Sequence, residues 1–128
     1  MNHFTPEMND GKHVFVFGSN RQGIHGAGAA SMAKKHWGAK EFFGNGRIGM
    51  SYAIPTREIS FGRFETLSMF WIEKRVKEFL DYATVYPELV FLVTKIGCGL
   101  AGHSEDEIKE LFKDAPVNCI LPDGWRDE

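Results

Sequence analysis

Glycine is concentrated in three short stretches of this chain, and each stretch adjoins a strand-sized apolar run. Four glycines lie from Gly18 to Gly28, three from Gly44 to Gly49, and three from Gly97 to Gly102. The neighbouring runs are rich in Val, Ile, Phe and Tyr and are bounded by Gly or Pro, which is typical of buried β-strands. The predicted strands are His13 to Phe17, Met50 to Ile54, Leu89 to Thr94 and Asn118 to Leu121.

Helical segments fill the intervals between these strands. Parallel strands need long connections and bury both faces, so strands that alternate with helices favour a parallel sheet. The sequence therefore predicts an α/β fold of three layers, with a central, mostly parallel sheet and helices on both faces. The predicted helices are Ala27 to His36, Glu65 to Ala83 and Ser104 to Lys113.

The second predicted helix carries two apolar stripes. One repeats at helical spacing and should face a core, and Pro87 marks the helix exit. The other lies on a different side, and we expect it to be buried too, although it could instead form a contact surface in a homodimer. The first stripe comprises Ile72, Val76, Phe79, Leu80 and Ala83; the second comprises Phe64, Leu67, Trp71 and Tyr82.

The third predicted helix begins with a capping box. The Ser104 hydroxyl and the Glu107 carboxylate can each satisfy a backbone N–H at the helix start. The acidic run from Glu105 to Glu107 is explained by this cap and by the positive end of the helix dipole.

Size and charge fit one domain and argue against several classes of partner. The chain has 128 residues, with 15 Lys and Arg against 17 Asp and Glu. The resulting net charge of −2 offers no general attraction to nucleic acid or anionic lipid. Apolar runs such as Val14 to Phe17 and Leu89 to Val93 are far shorter than the roughly 20 residues that a membrane span needs.

The two ends of the chain and its cysteines add three expectations. Met1 to Lys12 should be a loose extension and does not resemble a secretion signal. Residues 122–128 should form a polar tail with Trp125 against the body of the domain. Cys98 and Cys119 lack metal-ligand spacing, so we expect a reducing cytoplasm, no metal and no cofactor.

Two of the glycine stretches should form one ligand-binding cleft. Gly18 to Ala30 and Thr94 to Gly102 each leave the carboxyl end of a strand and enter a helix, which is where ligands bind in open α/β sheets. Small residues let a ligand approach the backbone, and the N–H groups at a helix start favour an anion such as a diphosphate. The first loop matches neither the dinucleotide fingerprint nor the NTPase P-loop. The alternative is that its small residues only pack a helix onto the sheet.

Particular segments resemble those of macro domains, the ADP-ribose-binding α/β modules. They are Asn20, Gly26-Ala27-Gly28-Ala29-Ala30 and Ile96-Gly97-Cys98-Gly99-Leu100. The sequence is most similar to the branch that includes the terminal ADP-ribose protein glycohydrolase and the antitoxin that reverses DNA ADP-ribosylation. In that branch the first loop is followed by a lysine pair, here Lys34 and Lys35, and Ser51 to Arg57 resembles the middle strand. The sequence also resembles small phage-encoded proteins of this kind.

The resemblance implies a macro domain-like fold and a set of ligand-binding residues. It implies that Gly26 to Ala30 and Gly97 to Gly102 embrace a diphosphate, and that Ser19 and Asn20 approach the distal ribose. The expected ligand-binding residues are Gly18, Ser19, Asn20, His25, Gly26, Ala27, Gly28, Arg57, Gly97, Cys98, Gly99, Leu100, Ala101 and Gly102.

The sequence departs from the hydrolases of that branch at two positions. They use a lysine near the end of the middle strand, where this chain has Thr56 and Arg57, and an acid after the Gly-Cys-Gly-Leu block, where it has Ala101. Arginine remains protonated and does not readily form an amine adduct, so a lysine mechanism is not expected.

A few other side chains could contribute chemistry. His25 could act as a general acid or base with help from Asn20, or contact the ligand without catalysis. Cys98 could be a nucleophile, but burial as a small residue is the preferred interpretation. Arg57 and Lys95 could each neutralise a phosphate or be ordinary surface charge. Arg47 could also neutralise a phosphate, or it could simply occupy a mobile turn.

These observations lead to one expected function and two alternatives. We expect the chain to bind ADP-ribose or a related NAD-derived nucleotide through the two loops, free or on an ADP-ribosylated macromolecule. It could instead be an ADP-ribosyl glycohydrolase or an O-acetyl-ADP-ribose deacetylase, with His25 activating a water. The third alternative is sequestration of a cyclic ADP-ribose signal, in the manner of a phage-encoded protein.

Overall fold

The predicted strands pair into one sheet, with additional short strands at its edge. The computed structural model describes residues 4–98 and 101–126, and within these ranges the chain forms six strands and three α-helices. In chain order they are β1 (His13–Asn20), α1 (Gly28–His36), β2 (Gly46–Ile48), β3 (Ser51–Ser60), β4 (Arg63–Thr66), α2 (Met69–Val85), β5 (Val90–Val93), α3 (Glu105–Leu111) and β6 (Cys119–Ile120).

The sheet is mostly parallel, as predicted. Its strand order is β2-β3-β1-β5-β6, and β4 pairs with β3 outside this path. β1 is parallel to both β3 and β5, and β5 is parallel to β6, whereas β2 and β4 are antiparallel to β3. The parallel pairs are those joined by long connections, and the antiparallel pairs are those joined by short turns.

Helices cover both faces of the sheet, which confirms the three-layer α/β arrangement. Successive side chains of β1 point to opposite faces. Phe15 and Phe17 join α1 in the smaller core, which also contains Trp37. Val14 and Val16 belong to the larger core together with α2 and α3.

Both ends of the described chain pack against the body of the domain. The N-terminal segment was expected to be loose, but Phe4 and Met8 pack against the smaller core. The Trp125 indole is buried in the larger core beside Phe112, and its Nε1–H donates to Glu105 Oε1 over 3.0 Å.

The predicted start of the second helix was wrong. Residues 63–66 form β4, which returns from β3 through a turn in which Phe61 and Gly62 both have positive φ. Helix α2 therefore begins at Met69, and Phe64 and Leu67 precede it. Leu67 is nevertheless buried, while Phe64 belongs to the hairpin.

Two helix predictions agree with the structure. The main apolar stripe of α2 is buried through Ile72, Val76, Phe79 and Ala83. Ser104 and Glu107 form the predicted capping box at the start of α3. Among the described residues, no helix is long and apolar enough to cross a membrane.

Candidate functional site

The two predicted loops meet in a cleft of about 540 Å³. It lies at the carboxyl ends of β1 and β5 and beside the middle of β3, and an open α/β sheet offers loop backbone to a ligand at such strand ends. The first loop forms one wall and the second loop another, and the β3–β4 hairpin adds a wall that the sequence analysis missed. The described lining residues are Gly18, Ser19, Asn20, Ile24, Gly26, Ala27, Gly28, Ala29, Ala30, Thr56, Arg57, Phe64, Thr94, Lys95, Ile96, Gly97 and Ala101.

The first loop exposes backbone to this cleft. A Cβ atom at Gly26 or at Gly28 would have no heavy atom within 4 Å. Gly28 needs glycine for its positive φ of 60°, but Gly26 has neither a packing partner nor a left-handed backbone that would require glycine. Packing alone therefore does not explain Gly26, although buried Ala30 and Ala33 do pack α1 onto the sheet.

Helix α1 begins at this loop without a side-chain cap. Ala27, at the N-cap position, contributes no side-chain hydrogen bond. In the part of the chain that the structure describes, no acceptor faces the backbone N–H groups of Gly28, Ala29 or Ala30. Unpaired N–H groups at a helix start carry the positive end of its dipole, so this end of the cleft favours an anion.

Asn20 shapes the first loop with its side chain. Its Oδ1 accepts from the Ile24 N–H, and its Nδ2 donates to the Ile24 carbonyl, each over 2.9 Å. Although Asn20 lines the cleft, it is buried, and both ends of its amide hold the turn closed.

His25 is buried beside the cleft rather than lining it. Only 2% of the residue is exposed, and its ring meets Phe17 edge-on, with the centroids 5.4 Å apart. Its Nε2 lies 3.1 Å from the Phe43 carbonyl, which can only accept, so Nε2 carries the proton. Its backbone N–H donates to Glu41 Oε1 over 2.9 Å. His25 therefore links the first loop to the segment that contains Phe43.

That segment, residues 41–44, clamps the first loop from outside, and we call it the clamp segment. The Phe42 N–H donates to the Gly23 carbonyl over 2.7 Å. The Ser19 hydroxyl donates to the Gly44 carbonyl. These hydrogen bonds hold the loop that leaves β1, and neither of them involves a residue of α1.

The second loop approaches the first at its base. A Cβ atom at Gly18 would lie 3.5 Å from the Gly97 nitrogen. Gly97 has a φ of 73°, and its carbonyl accepts from the His103 N–H over 2.9 Å. The Thr66 hydroxyl of the hairpin donates to the Ala101 carbonyl over 2.6 Å, so the hairpin also holds this loop.

Some predicted residues of the second loop lie elsewhere. Cys98 and Gly102 do not line the cleft, and Gly99 and Leu100 lie outside the described residues. The Cys98 thiol donates to the Ile96 carbonyl over 3.4 Å, and burial raises its pKa, which keeps it protonated. A protonated thiol is a poor nucleophile, so this geometry agrees with the preferred interpretation of Cys98 as a small packed residue.

Two cations line the cleft, and their surroundings differ. The Lys95 ammonium lies 3.3 Å from Glu105 Oε2. Arg57 has no carboxylate partner among the described residues; its guanidinium carbon lies 4.3 Å from the centre of the Phe64 ring. No acidic residue is among the described residues that line the cleft. The positive charge of Arg57 at the cleft is therefore uncompensated, whereas that of Lys95 is balanced by Glu105 outside the lining.

Other candidate residues are occupied away from the cleft. Arg47 donates to the Gly49 carbonyl and to the Tyr82 hydroxyl. Lys34 pairs with Glu41 over 3.3 Å. Thr56, in contrast, lines the cleft, and its hydroxyl donates to the Ser19 carbonyl over 3.3 Å. In the described ranges, His, Cys, Asp and Glu side chains form no group of three that could hold a metal ion.

The sequence analysis missed Phe64 and Ile24 as parts of the cleft. Phe64 was assigned to a helix, because the turn at Phe61 and Gly62 lacks the usual Asn-Gly or Asp-Gly signal. Residues 57–60 and 63–66 each contain one apolar residue, Ile59 and Phe64, which is too little alternation to indicate a hairpin.

Comparison with known proteins informs the fold alone. No family model and no curated protein matches this chain. The solved structure of a protein of unknown function from Bacteroides thetaiotaomicron is similar to it, with a TM-score of 0.60 and 17% sequence identity. The match covers 88% of this chain and 86% of that one. This likeness extends over almost the whole described domain and agrees with the α/β arrangement.

Proposed function

We propose that this protein binds ADP-ribose, or a related nucleotide derived from NAD, with the diphosphate between the two glycine loops. The observation that carries the proposal is the open backbone of Gly26 and Gly28 beside the uncapped start of α1. Backbone left bare in this way suits a phosphate that must approach closely.

The electrostatics of the cleft support an anionic ligand. Arg57 and Lys95 line the same cavity as the N–H groups of Gly28 to Ala30, and no described lining residue is acidic. Positive walls attract anions even though the whole chain has a net charge of −2. A volume of about 540 Å³ falls in the range of small-molecule and cofactor pockets.

The choice of ADP-ribose among diphosphate nucleotides rests on the resemblance to macro domains. Gly26 to Ala30 and Gly97 line the cleft, and these are positions that carry the resemblance. Asn20 also lines it, at the end of β1.

The positions of the two residues suggested for catalysis favour binding over hydrolysis. His25 is buried outside the cleft, and the amide of Asn20 is committed to Ile24. Among the described residues the His25 Nδ1 has no hydrogen-bond partner, but it is buried and His25 does not line the cleft, so neither side chain is placed to activate a water there. The hydrolases that the sequence resembles carry a lysine and an acid near the positions of Thr56 and Ala101, and these two residues supply neither an amine nor a carboxyl group.

Calorimetric titration with ADP-ribose, ADP and adenosine tests the proposal. We expect the two diphosphates to bind and adenosine to bind at least about tenfold more weakly, a difference of about 1.4 kcal/mol. Equal affinity for all three, or binding of none, overturns the proposal. Incubation with mono-ADP-ribosylated protein or with O-acetyl-ADP-ribose separates binding from hydrolysis: substrate that remains intact supports binding, whereas release of ADP-ribose supports hydrolysis.

A further inference from the structure

The β3–β4 hairpin brings one aromatic side chain to the rim of the cleft. Phe64 lines the cavity and is 46% exposed. It belongs to neither hydrophobic core. A large apolar ring that packs in no core and faces a cavity is a surface that a ligand can cover.

Strand pairing places Phe64 beside Arg57, one of the two cations that line the cleft. Arg57 pairs with Thr66 and Ile59 pairs with Phe64, so these four residues share one face of the hairpin. Arg57 and Phe64 are diagonal neighbours on it, which is the relation that lets long side chains touch. The contact at 4.3 Å is the result.

The same alternation keeps negative charge away from this ring. Glu58 and Glu65 pair with each other in the next register position, so they lie on the opposite face of the hairpin. Glu58 there accepts from Arg21 over 3.0 Å. The face that carries Arg57 and Phe64 thus offers a ring and a cation without a carboxylate.

We propose that Phe64 stacks on a heteroaromatic ring of the bound nucleotide, while Arg57 beside it meets a phosphate. This inference rests on the function proposed above and names the part of the ligand that Phe64 recognises. A nucleotide carries both groups, a flat ring and a phosphate joined through ribose, and the pair offers a partner for each. The ring is either adenine or a second ring attached to the distal ribose, and the two sources are distinguished below.

Phe70 provides a matched control for Phe64. It is also an exposed phenylalanine, at 68%, but it lies in the first turn of α2 and does not line the cleft. Its ring contacts Trp71 edge-on, with the centroids 5.1 Å apart. Removing either ring costs no core packing, so both variants should fold.

The experiment compares the affinities of the wild type and four variants for ADP, ADP-ribose and NAD. The variants are Phe64→Ala, Phe64→Leu, Phe64→Trp and Phe70→Ala. Stacking of a base on an aromatic side chain predicts a loss of about tenfold in Phe64→Ala and in Phe64→Leu, which is apolar but has no ring. Phe64→Trp should bind at least as well as the wild type, and Phe70→Ala should bind equally.

The pattern across ligands identifies the ring. Equal losses for all three nucleotides assign adenine to Phe64, and a loss confined to NAD assigns the nicotinamide ring. Unchanged affinity of Phe64→Leu, or an equal loss in Phe70→Ala, overturns the inference while leaving the proposed function intact. If the wild type binds none of the three nucleotides, the proposed function fails and the inference fails with it.

Discussion

Gly44 lies directly against the carbonyl oxygen of Asn20, so close that a Cβ atom at Gly44 would overlap this oxygen. The contact joins the clamp segment to the end of β1, next to the hydrogen bond from the Ser19 hydroxyl to the Gly44 carbonyl. The clamp segment therefore contacts Ser19 and Asn20, which line the cleft, although the clamp segment itself does not line it.

Gly44→Ala should destabilise the protein and disturb the cleft. The new methyl group meets backbone rather than a flexible side chain, so Asn20 or the clamp segment must move. Overpacking of this kind costs about 1 to 3 kcal/mol. Chemical denaturation measures the change; a stability equal to that of the wild type would show that the contact is looser than described.

Gly26→Ala should keep the stability of the protein and weaken its binding of ADP-ribose. No heavy atom lies within 4 Å of the added Cβ, and the residue lacks a positive φ, so the free energy of unfolding should be retained or should rise by up to about 1 kcal/mol. The methyl group occupies space proposed for the diphosphate, so affinity for ADP-ribose should fall. Denaturation and calorimetry on the same preparation check both effects. Wild-type affinity in a stable Gly26→Ala protein would contradict the proposed diphosphate position.

The two cations of the cleft should contribute unequally to binding. Arg57→Gln should weaken ADP-ribose binding about tenfold or more, because a hydrogen bond to a charged group is worth about 1.5 to 3 kcal/mol. Lys95→Gln should weaken it no more than about fivefold, because Glu105 already neutralises Lys95. Equal losses in the two variants would mean that the ion pair opens when the ligand binds.

His25→Ala should act on stability. The buried ring packs against Phe17 and bridges to the Phe43 carbonyl, so its removal leaves a cavity and should cost about 2 kcal/mol or more. Thermal or chemical unfolding measures this cost. A His25→Ala protein of unchanged stability that had lost a measurable hydrolytic turnover would instead assign His25 a catalytic role.

The capping box of α3 should make stability depend on pH. The carboxylate of Glu107 accepts the Ser104 N–H, which lowers its pKa from 4.5. A carboxyl whose pKa is lower in the folded state stabilises the fold above its unfolded pKa, and this contribution is lost as the pH falls through the folded value. Comparison of wild type and Glu107→Gln between about pH 7 and pH 3 checks the sign. The difference in unfolding free energy should shrink on acidification; a constant difference would exclude this linkage.

Local sequence signals predicted the parts of the fold that depend on local chemistry. The apolar runs gave β1, β3, β5 and β6, and Ser104 with Glu107 gave the start of α3 to within a residue. The hairpin could not be predicted in the same way. Phe61 adopts a φ of 51°, which its residue type does not predict, and the helix was therefore predicted to begin at Glu65, inside β4.

The sequence predicted the parts of the candidate site that are built from loop backbone. It did not predict the positions of side chains that depend on tertiary contacts. The small residues of both loops predicted a shared cleft, which parallel pairing of β1 and β5 brings about. The position of His25 in the sequence does not indicate that its ring is buried against the clamp segment. The position of Phe64 likewise depends on the register of a hairpin rather than on its sequence neighbours.

The most direct test of the diphosphate cleft is an amide-resolved NMR titration of the protein with ADP-ribose. We expect the largest shifts at the N–H groups of Gly28, Ala29 and Ala30, together with Gly97, and little change at Gly62 in the hairpin turn. Saturable binding that leaves these four amides unmoved and shifts signals on another part of the sheet would contradict the account.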